Sequence, residues 1–432
     1  MNYYSTKRIS PEVALKEAVL KGLPDDNGLY MPKAIPKLDV SVLQKSHQMS
    51  FQDIAFEMAC CLIEPDVPRA KLEEIINDAF NFEIPLTQLD ANIHILELFH
   101  GPTHAFKDFG ARFMARLMAY FLKDNNTDVN ILVATSGDTG SAVAQGFLGV
   151  DGVKVTLLYP SGKVSDLQEK QLTTCGQNIT ALEVDGTFDD CQKMVKEAFL
   201  NQELNKKFYL TSANSINIAR LIPQSFYYLY AWSRLKESNE NIVFSVPSGN
   251  FGNLCGGLLA REMRMPVDHF VAATNINKIV PEYLESGLFN PKPSTQTLAN
   301  AMDVGNPSNF PRLKALLGDD VSDIRNHIFG TYYTDDQTLD VISEVYDNFD
   351  YFICPHSAIG YQGLKHYLND KPGSVGISLA TAHPAKFIDT VERATGSDFA
   401  MPKTLEEVMS KPKQSIKIGN NFQNLRDYLI SD

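Results

Sequence analysis

The sequence lacks a basic tract, metal-spaced cysteines and any long apolar run, and each absence removes a class of function. Its 52 acidic residues outnumber its 39 basic ones, a formal charge of -13 over 432 residues, so no nucleic-acid partner is expected. The six cysteines, at 60, 61, 175, 191, 255 and 354, include no CxxC pair. Adjacent Cys60 and Cys61 suit a helix interior better than a bridge, and reduced thiols in a cytoplasmic setting are expected. No histidine pair has ligand spacing such as H-E-x-x-H, and no metal is expected. No apolar run approaches about 18 residues and no hydrophobic stretch opens the chain, which argues against a membrane span or leader. Walker A and G-x-G-x-x-G patterns are missing, so a nucleotide reading has little support. Short-period repeats are missing too.

What remains is an ordinary globular composition, 44% apolar and 21% charged, over more residues than one core usually serves. The chain is organised around Phe99–Gly110, F-H-G-P-T-H-A-F-K-D-F-G. Before it, Ile93–Phe99 reads as a strand. After it, Phe109, Phe113 and Leu117 recur at helical spacing. Lys107 therefore sits where a strand hands over to a helix. A lysine among phenylalanines can snorkel, its stem on apolar surface and its amine in water. It can also be a Schiff-base lysine, its amine readied by an apolar wall or a neighbouring cation. This stretch alone leaves both readings open. Asp108 would oppose the second by favouring the charged amine, but adjacent helix positions do not share a face.

Residues 1–90 read as helices between proline- and glycine-rich turns: one opened by Ser10-Pro11, a buried one from Phe51 to Leu62, and one from Val67-Pro68 to about Phe80. From Asn92 the pattern changes to alternating strands and helices, the mark of an α/β layer fold. A compact α/β unit is expected over roughly 110–210. A long apolar helix should run through Leu221 to Trp232, and residues 286–310 should form a long loop.

Three small polar loops follow strands, where open α/β sheets collect ligands. Thr135–Gly140 and Ser248–Asn253 each place glycines at a strand-to-helix junction, where backbone N–H groups can converge on an anion. Either could equally be a tight turn. Asn214–Asn217 with Arg220 offers amides, a hydroxyl and a guanidinium fork suited to phosphate, or an N-cap with one salt bridge. Together the loops suggest two phosphates, or a phosphate and a carboxylate. His104 and His356 are candidates for proton transfer and His383 lies in a similar loop, but without contacts each reads as structural.

Five segments resemble the threonine synthase family: Phe99–Gly110, Thr135–Gly140, Pro247–Asn253, Asn300–Gly305 and Thr381–Phe387. The likeness extends to Gly28–Pro32 and covers nearly the whole chain. It implies the tryptophan synthase beta-like, pyridoxal-phosphate-dependent fold (fold type II), with two open-sheet three-layer α/β domains and an additional N-terminal segment. The implied division is an N-terminal segment over 1–90, a large cofactor-binding domain over 91–109 and 211–432, and a small mobile domain over 110–210. Lys107 would bond the aldehyde of pyridoxal 5'-phosphate. Gly249, Asn250, Phe251, Gly252 and Asn253 would hold its phosphate, and Thr381 would face its pyridine nitrogen. Thr135, Ser136, Asp138 and Thr139 would bind the substrate carboxylate, and Asn214, Ser215, Asn217 and Arg220 its phosphate. Asp138 departs from the asparagine that relatives of this fold often carry there, and when ionised it cannot donate a hydrogen bond. The implied reaction converts O-phospho-L-homoserine and water to L-threonine and phosphate. A serine/threonine dehydratase-type lyase and a non-catalytic amino-acid or phosphate sensor are the rival readings. Monomer and homodimer remain equal alternatives.

Overall fold

A computed structural model describes residues 1–123, 129–135, 137–236, 241–267 and 269–431. The chain opens with a small antiparallel sheet, in which β1 (Asn2–Ser5) pairs with β2 (Val13–Ala14) on one side and β3 (Tyr30–Pro32) on the other. The helix expected from Ser10-Pro11 starts at Leu15 instead, because Val13 and Ala14 are drawn into this sheet. Helices Phe51–Ile63 and Arg69–Ala79 follow, as the apolar spacing predicts. Ser50 and Asp53 close the first with a reciprocal capping box. All six cysteines are free, and no helix among the described residues is long and apolar enough to cross a membrane.

The strand–helix alternation then builds two larger sheets. β4 (Leu86–Asp90) and β5 (Ile93–Glu97) precede the helix Lys107–Leu122. β6 (Val129–Ala134), β7 (Val153–Pro160), β8 (Ile179–Asp185) and β9 (Tyr209–Thr211) come next. β10 (Asn241–Pro247), β11 (His269–Thr274), β12 (Ile328–Tyr332), β13 (Ser374–Ala380) and β14 (Ile416–Gly419) complete the set. One sheet has the order β12-β11-β10-β13-β5-β4 and is parallel except for the β4–β5 pair; the other, β14-β8-β7-β6-β9, is wholly parallel. β6 and β13 are buried along their whole length, the continuous apolar strands of a sheet covered on both faces.

Two expectations need correction. β14 pairs with β8, so the C-terminal strand belongs with the sheet of the 110–210 unit and not with the large domain expected to run to residue 432. Helix Phe422–Ser431 follows it, and Leu425 and Leu429 join the core of that unit. The apolar run through Trp232 is not one helix. Pro223 has no N–H to give, and a tight turn over Ile222–Ser225 separates helices Ile218–Leu221 and Phe226–Leu235.

Candidate active site

Four segments meet at the carboxyl ends of parallel strands. They are the loop from β5 to Lys107, the turn after β6, the turn after β10 and the segment after β13. Hydrogen bonds lace the first to the last: Leu98 N–H to Ala380, Phe106 N–H to Thr381 at 2.8 Å, and His383 N–H to His104. Lys107 and Thr381, 274 positions apart, are brought together by this pairing.

Lys107 is the first residue of its helix. The stripe predicted for that helix is buried, and Phe109 packs edge-on against Phe51, Phe82 and Tyr227. Lys107 itself is half-buried, and its amine faces inward. Burial pulls the amine below the ordinary lysine range, Asp138 pulls it back up, and Lys386 and Arg220 push it down. Asp108 turns away from the amine. Its buried carboxylate accepts from the N–H and hydroxyl of Thr103 at 2.9 and 2.8 Å. Burial, only partly offset by those bonds, raises it to about 6.

The turn after β10 presents unpaired donors. Phe251 takes the left-handed conformation at φ 61°, and no side chain caps the helix that begins at Gly252. A Cβ on Gly249 would lie 2.9 Å from Ala301 O and Met302 Cα, so only glycine fits against the 300–302 turn. Asn250 accepts from the N–H and hydroxyl of Ser308. Asn253 Oδ1 takes the hydroxyls of Tyr227 and Tyr228 at 2.6 and 2.8 Å, while its buried Nδ2 has no partner.

The turn after β6 is closed on itself. Thr135 Oγ1 accepts from Gly137 N–H at 3.1 Å and Gly140 N–H at 2.9 Å. Gly137 takes φ 140°, and after it Asp138 is buried and Thr139 half-buried. Ser136 lies outside the described residues. Asp138 meets the ammonium of Lys386 at 2.7 Å and accepts from Gln168 at 3.2 Å. Burial would raise its carboxyl, but Lys386 and then Lys107 outweigh this and hold it well below the usual range.

The 214–220 segment divides its residues between fold and cleft. Asn217 caps the helix behind it, accepting from Ala219 N–H and donating to the carbonyls of Val19 and Ser212, so its amide is spent on the fold. Ser215 accepts from Asn309, and Asn214 Oδ1 is buried without a partner. Arg220 is 2% exposed, lies across Gly110, and gives Nη1 to Ala213 O at 2.6 Å; its Nε has no partner. Burial lowers its guanidinium to about 10, against the pull of Asp108.

Two further residues stand here: Lys386, to which sequence reasoning gives no role, and His356, a candidate for proton transfer that reads as structural from the sequence. Lys386 lay inside a segment singled out for its resemblance, but nothing in its spacing marks it as buried. His356, 3% exposed, accepts from Ala301 N–H at Nε2, which places its proton on the unpartnered Nδ1. Burial brings it down to about 4, with Asp138 opposing and Lys107 and Lys386 assisting. His104 is not part of this group: the helix starts three residues after it, and its ring meets Thr404 and His383.

Comparison with known proteins agrees along the whole chain. Residues 81–378 match the pyridoxal-phosphate dependent enzyme family, 2–80 the threonine synthase N terminus, and 357–429 the threonine synthase C-terminal region. The threonine synthase of Haemophilus influenzae is 43% identical, with all of both chains aligned. The crystal structure of threonine synthase from Escherichia coli superposes with a TM-score of 0.94 at 40% identity, covering 100% of each chain. That of PLP-bound threonine synthase from Brucella melitensis gives 0.93 at 34% identity, covering 99% of this chain and 98% of the other.

Proposed function

The chain belongs to the threonine synthase family, and from that premise we propose how its residues divide the work. It is a pyridoxal-5'-phosphate-dependent lyase that converts O-phospho-L-homoserine and water to L-threonine and phosphate. The residues present fit the cofactor. An uncapped helix start, a glycine pressed against a neighbouring turn and the free Nδ2 of Asn253 suit its phosphate. A desolvated lysine amine suits its aldehyde. In this reading Gly249, Asn250, Phe251, Gly252 and Asn253 hold the phosphate, Lys107 bonds the aldehyde, and Thr381 faces the pyridine nitrogen. When bound, the cofactor draws electrons from the substrate's α carbon and makes its proton acidic.

Lys107 Nζ takes the α proton and then the β proton as the γ-phosphate leaves. One proton goes to the γ carbon, which becomes the methyl group. The other returns to the α carbon after water has added at the β carbon and given its spare proton to the departed phosphate. An amine held below its ordinary range can do both near neutrality. Arg220, with Asn214 and Ser215, grips the phosphate that leaves, and Thr139, in the turn that Thr135 closes, faces the substrate carboxylate. Asn217 serves by capping the helix that carries Arg220. The 110–210 unit, with 416–431, closes on the larger sheet to exclude water. A net acidic protein thus gathers Lys107, Lys386 and Arg220 at one cleft for a doubly anionic ligand pair.

The observation that carries this assignment is the desolvated amine of Lys107, next in sequence to Phe106, whose N–H bonds the Thr381 carbonyl, with the buried Arg220 guanidinium packed across Gly110. A dehydratase-type lyase would share the lysine but have no use for that guanidinium. The test is phosphate release from O-phospho-L-homoserine, with borohydride reduction followed by peptide mapping. Reduction should mark Lys107, and Lys107→Ala should lose both the mark and phosphate release. A mark on another lysine, or undiminished release by Lys107→Ala, would refute the assignment.

A further inference from the structure

The cleft holds two inward-facing amines, and the chemistry above uses one. Lys386, in the turn after β13, is 3% exposed. Its ammonium meets Asp138 Oδ1 at 2.7 Å and donates to Thr103 O at 2.9 Å. The pair joins the two large sheets, since Asp138 heads the helix after β6 and Lys386 follows β13. Gln171, from the β6 side, donates to the same Thr103 carbonyl at 3.1 Å. Asp138 acts electrostatically on both amines, and its ion pair is with Lys386.

A carboxylate beside an amine favours the charged form of that amine. A charged amine neither attacks an aldehyde nor takes a proton. We propose that Lys386 is a positioning residue: by occupying Asp138 it denies that carboxylate to Lys107 and leaves the Lys107 amine free to react. The inference rests on the reading of Lys107 as the reacting amine. The other groups that face the two amines do not compete for Asp138's role. Arg220 acts on Lys107 only as a repelling cation. Asp108 is tied to Thr103. His356, His104 and His383 are each held neutral near pH 7, all lowered to about 4, chiefly by burial. The reading also gives Asp138 a purpose. Paired with an ammonium, it puts a neutral unit into the cleft in place of a bare negative charge.

The test titrates full-length holoenzyme with pH while following the absorbance of the Lys107–cofactor linkage. In Lys386→Met the midpoint should rise by about one pH unit or more. Lys386→Arg keeps the cation and should stay near wild type. In the double variant Lys386→Met/Asp138→Asn the midpoint should return to the wild-type value or fall below it, because the carboxylate is gone. An unchanged midpoint in Lys386→Met would overturn the proposal. So would a double variant that stays raised, since loss of Lys386's through-space repulsion alone would then explain the shift. For a variant that does not take up cofactor, competitive acetylation of Lys107 in the full chain, quantified on its peptide across pH, reads the same amine with the same expected directions. Borohydride reduction of the wild type that marks a lysine other than Lys107 would instead break the underlying assignment, so the two failures are distinguishable.

Discussion

The turns after β10 and after β6 use the same materials, glycines and small polar residues between a parallel strand and a helix, yet they end in opposite states. After β6 the loop spends its donors on itself: Thr135 takes two N–H groups, and the Ser141 hydroxyl donates to Gly137 O. After β10 the helix start has no side-chain cap, and Asn253 is held by two tyrosines at its acceptor end while its donor end stays free. A closed turn fixes the direction of one side chain, here Asp138 toward Lys386. An open turn keeps donors for an anion from outside the chain. Two buried arginines repeat the contrast. Arg312 gives its four terminal donations to Ser215, Asn309, Tyr30 and Ile216, and serves the fold. Arg220 makes one such bond, to Ala213 O, while the buried Nε of both arginines has no partner.

The contrast can be broken most directly at Arg220. If its spare donors serve the substrate phosphate, Arg220→Ala should lower kcat/KM for O-phospho-L-homoserine by about 10²–10³-fold, the loss expected for a charged group meeting a departing anion. Steady-state phosphate release measures this, and a loss under about threefold would place Arg220 with Arg312 as a structural residue. Gly249→Val should be next in size. Its side chain meets the backbone of 301–302, which cannot swing aside, so cofactor affinity should fall at least about tenfold by equilibrium absorbance titration. Thr135→Val should do the reverse. It strands two buried N–H groups and should cost about 1–3 kcal/mol in urea unfolding, with cofactor affinity nearly unchanged.

The same burial also gives stability a slope in pH. His104, His356 and His383 are lowered to about 4 in the folded chain, burial being the main cause, against about 6.5 when unfolded. Between those values the unfolded chain binds more protons, so stability is complete above about pH 6.5 and falls as pH drops toward 4. Asp108, raised to about 6, works in the opposite direction over part of that window. Thermal unfolding between pH 7 and pH 4.5 should show the midpoint falling, and His356→Asn should flatten part of the slope.

Local patterns carried much of the plan. The stripe Phe109, Phe113 and Leu117, the strands over 93–97 and 129–134, and the glycine turns after β6 and β10 are set by spacing that any short window displays. The break at Pro223 was legible in principle but was outweighed by the apolar run around it. β14 was missed because a four-residue, half-exposed strand has little periodicity, and its pairing with β8 is a long-range contact.

The chain's own order determined that a lysine would stand at a strand-to-helix junction, that glycine turns would follow two parallel strands, and that the alternation from residue 92 would layer into α/β sheets. Local sterics and side-chain period suffice for those outcomes. Only the tertiary structure decided which turn closes and which stays open, that Asn217 is spent while Arg220 is not, and that Lys386 reaches Asp138 across 248 positions of chain. Those outcomes depend on which donors find partners after the sheets pack, and burial sets both partner and charge state from atoms far away in sequence.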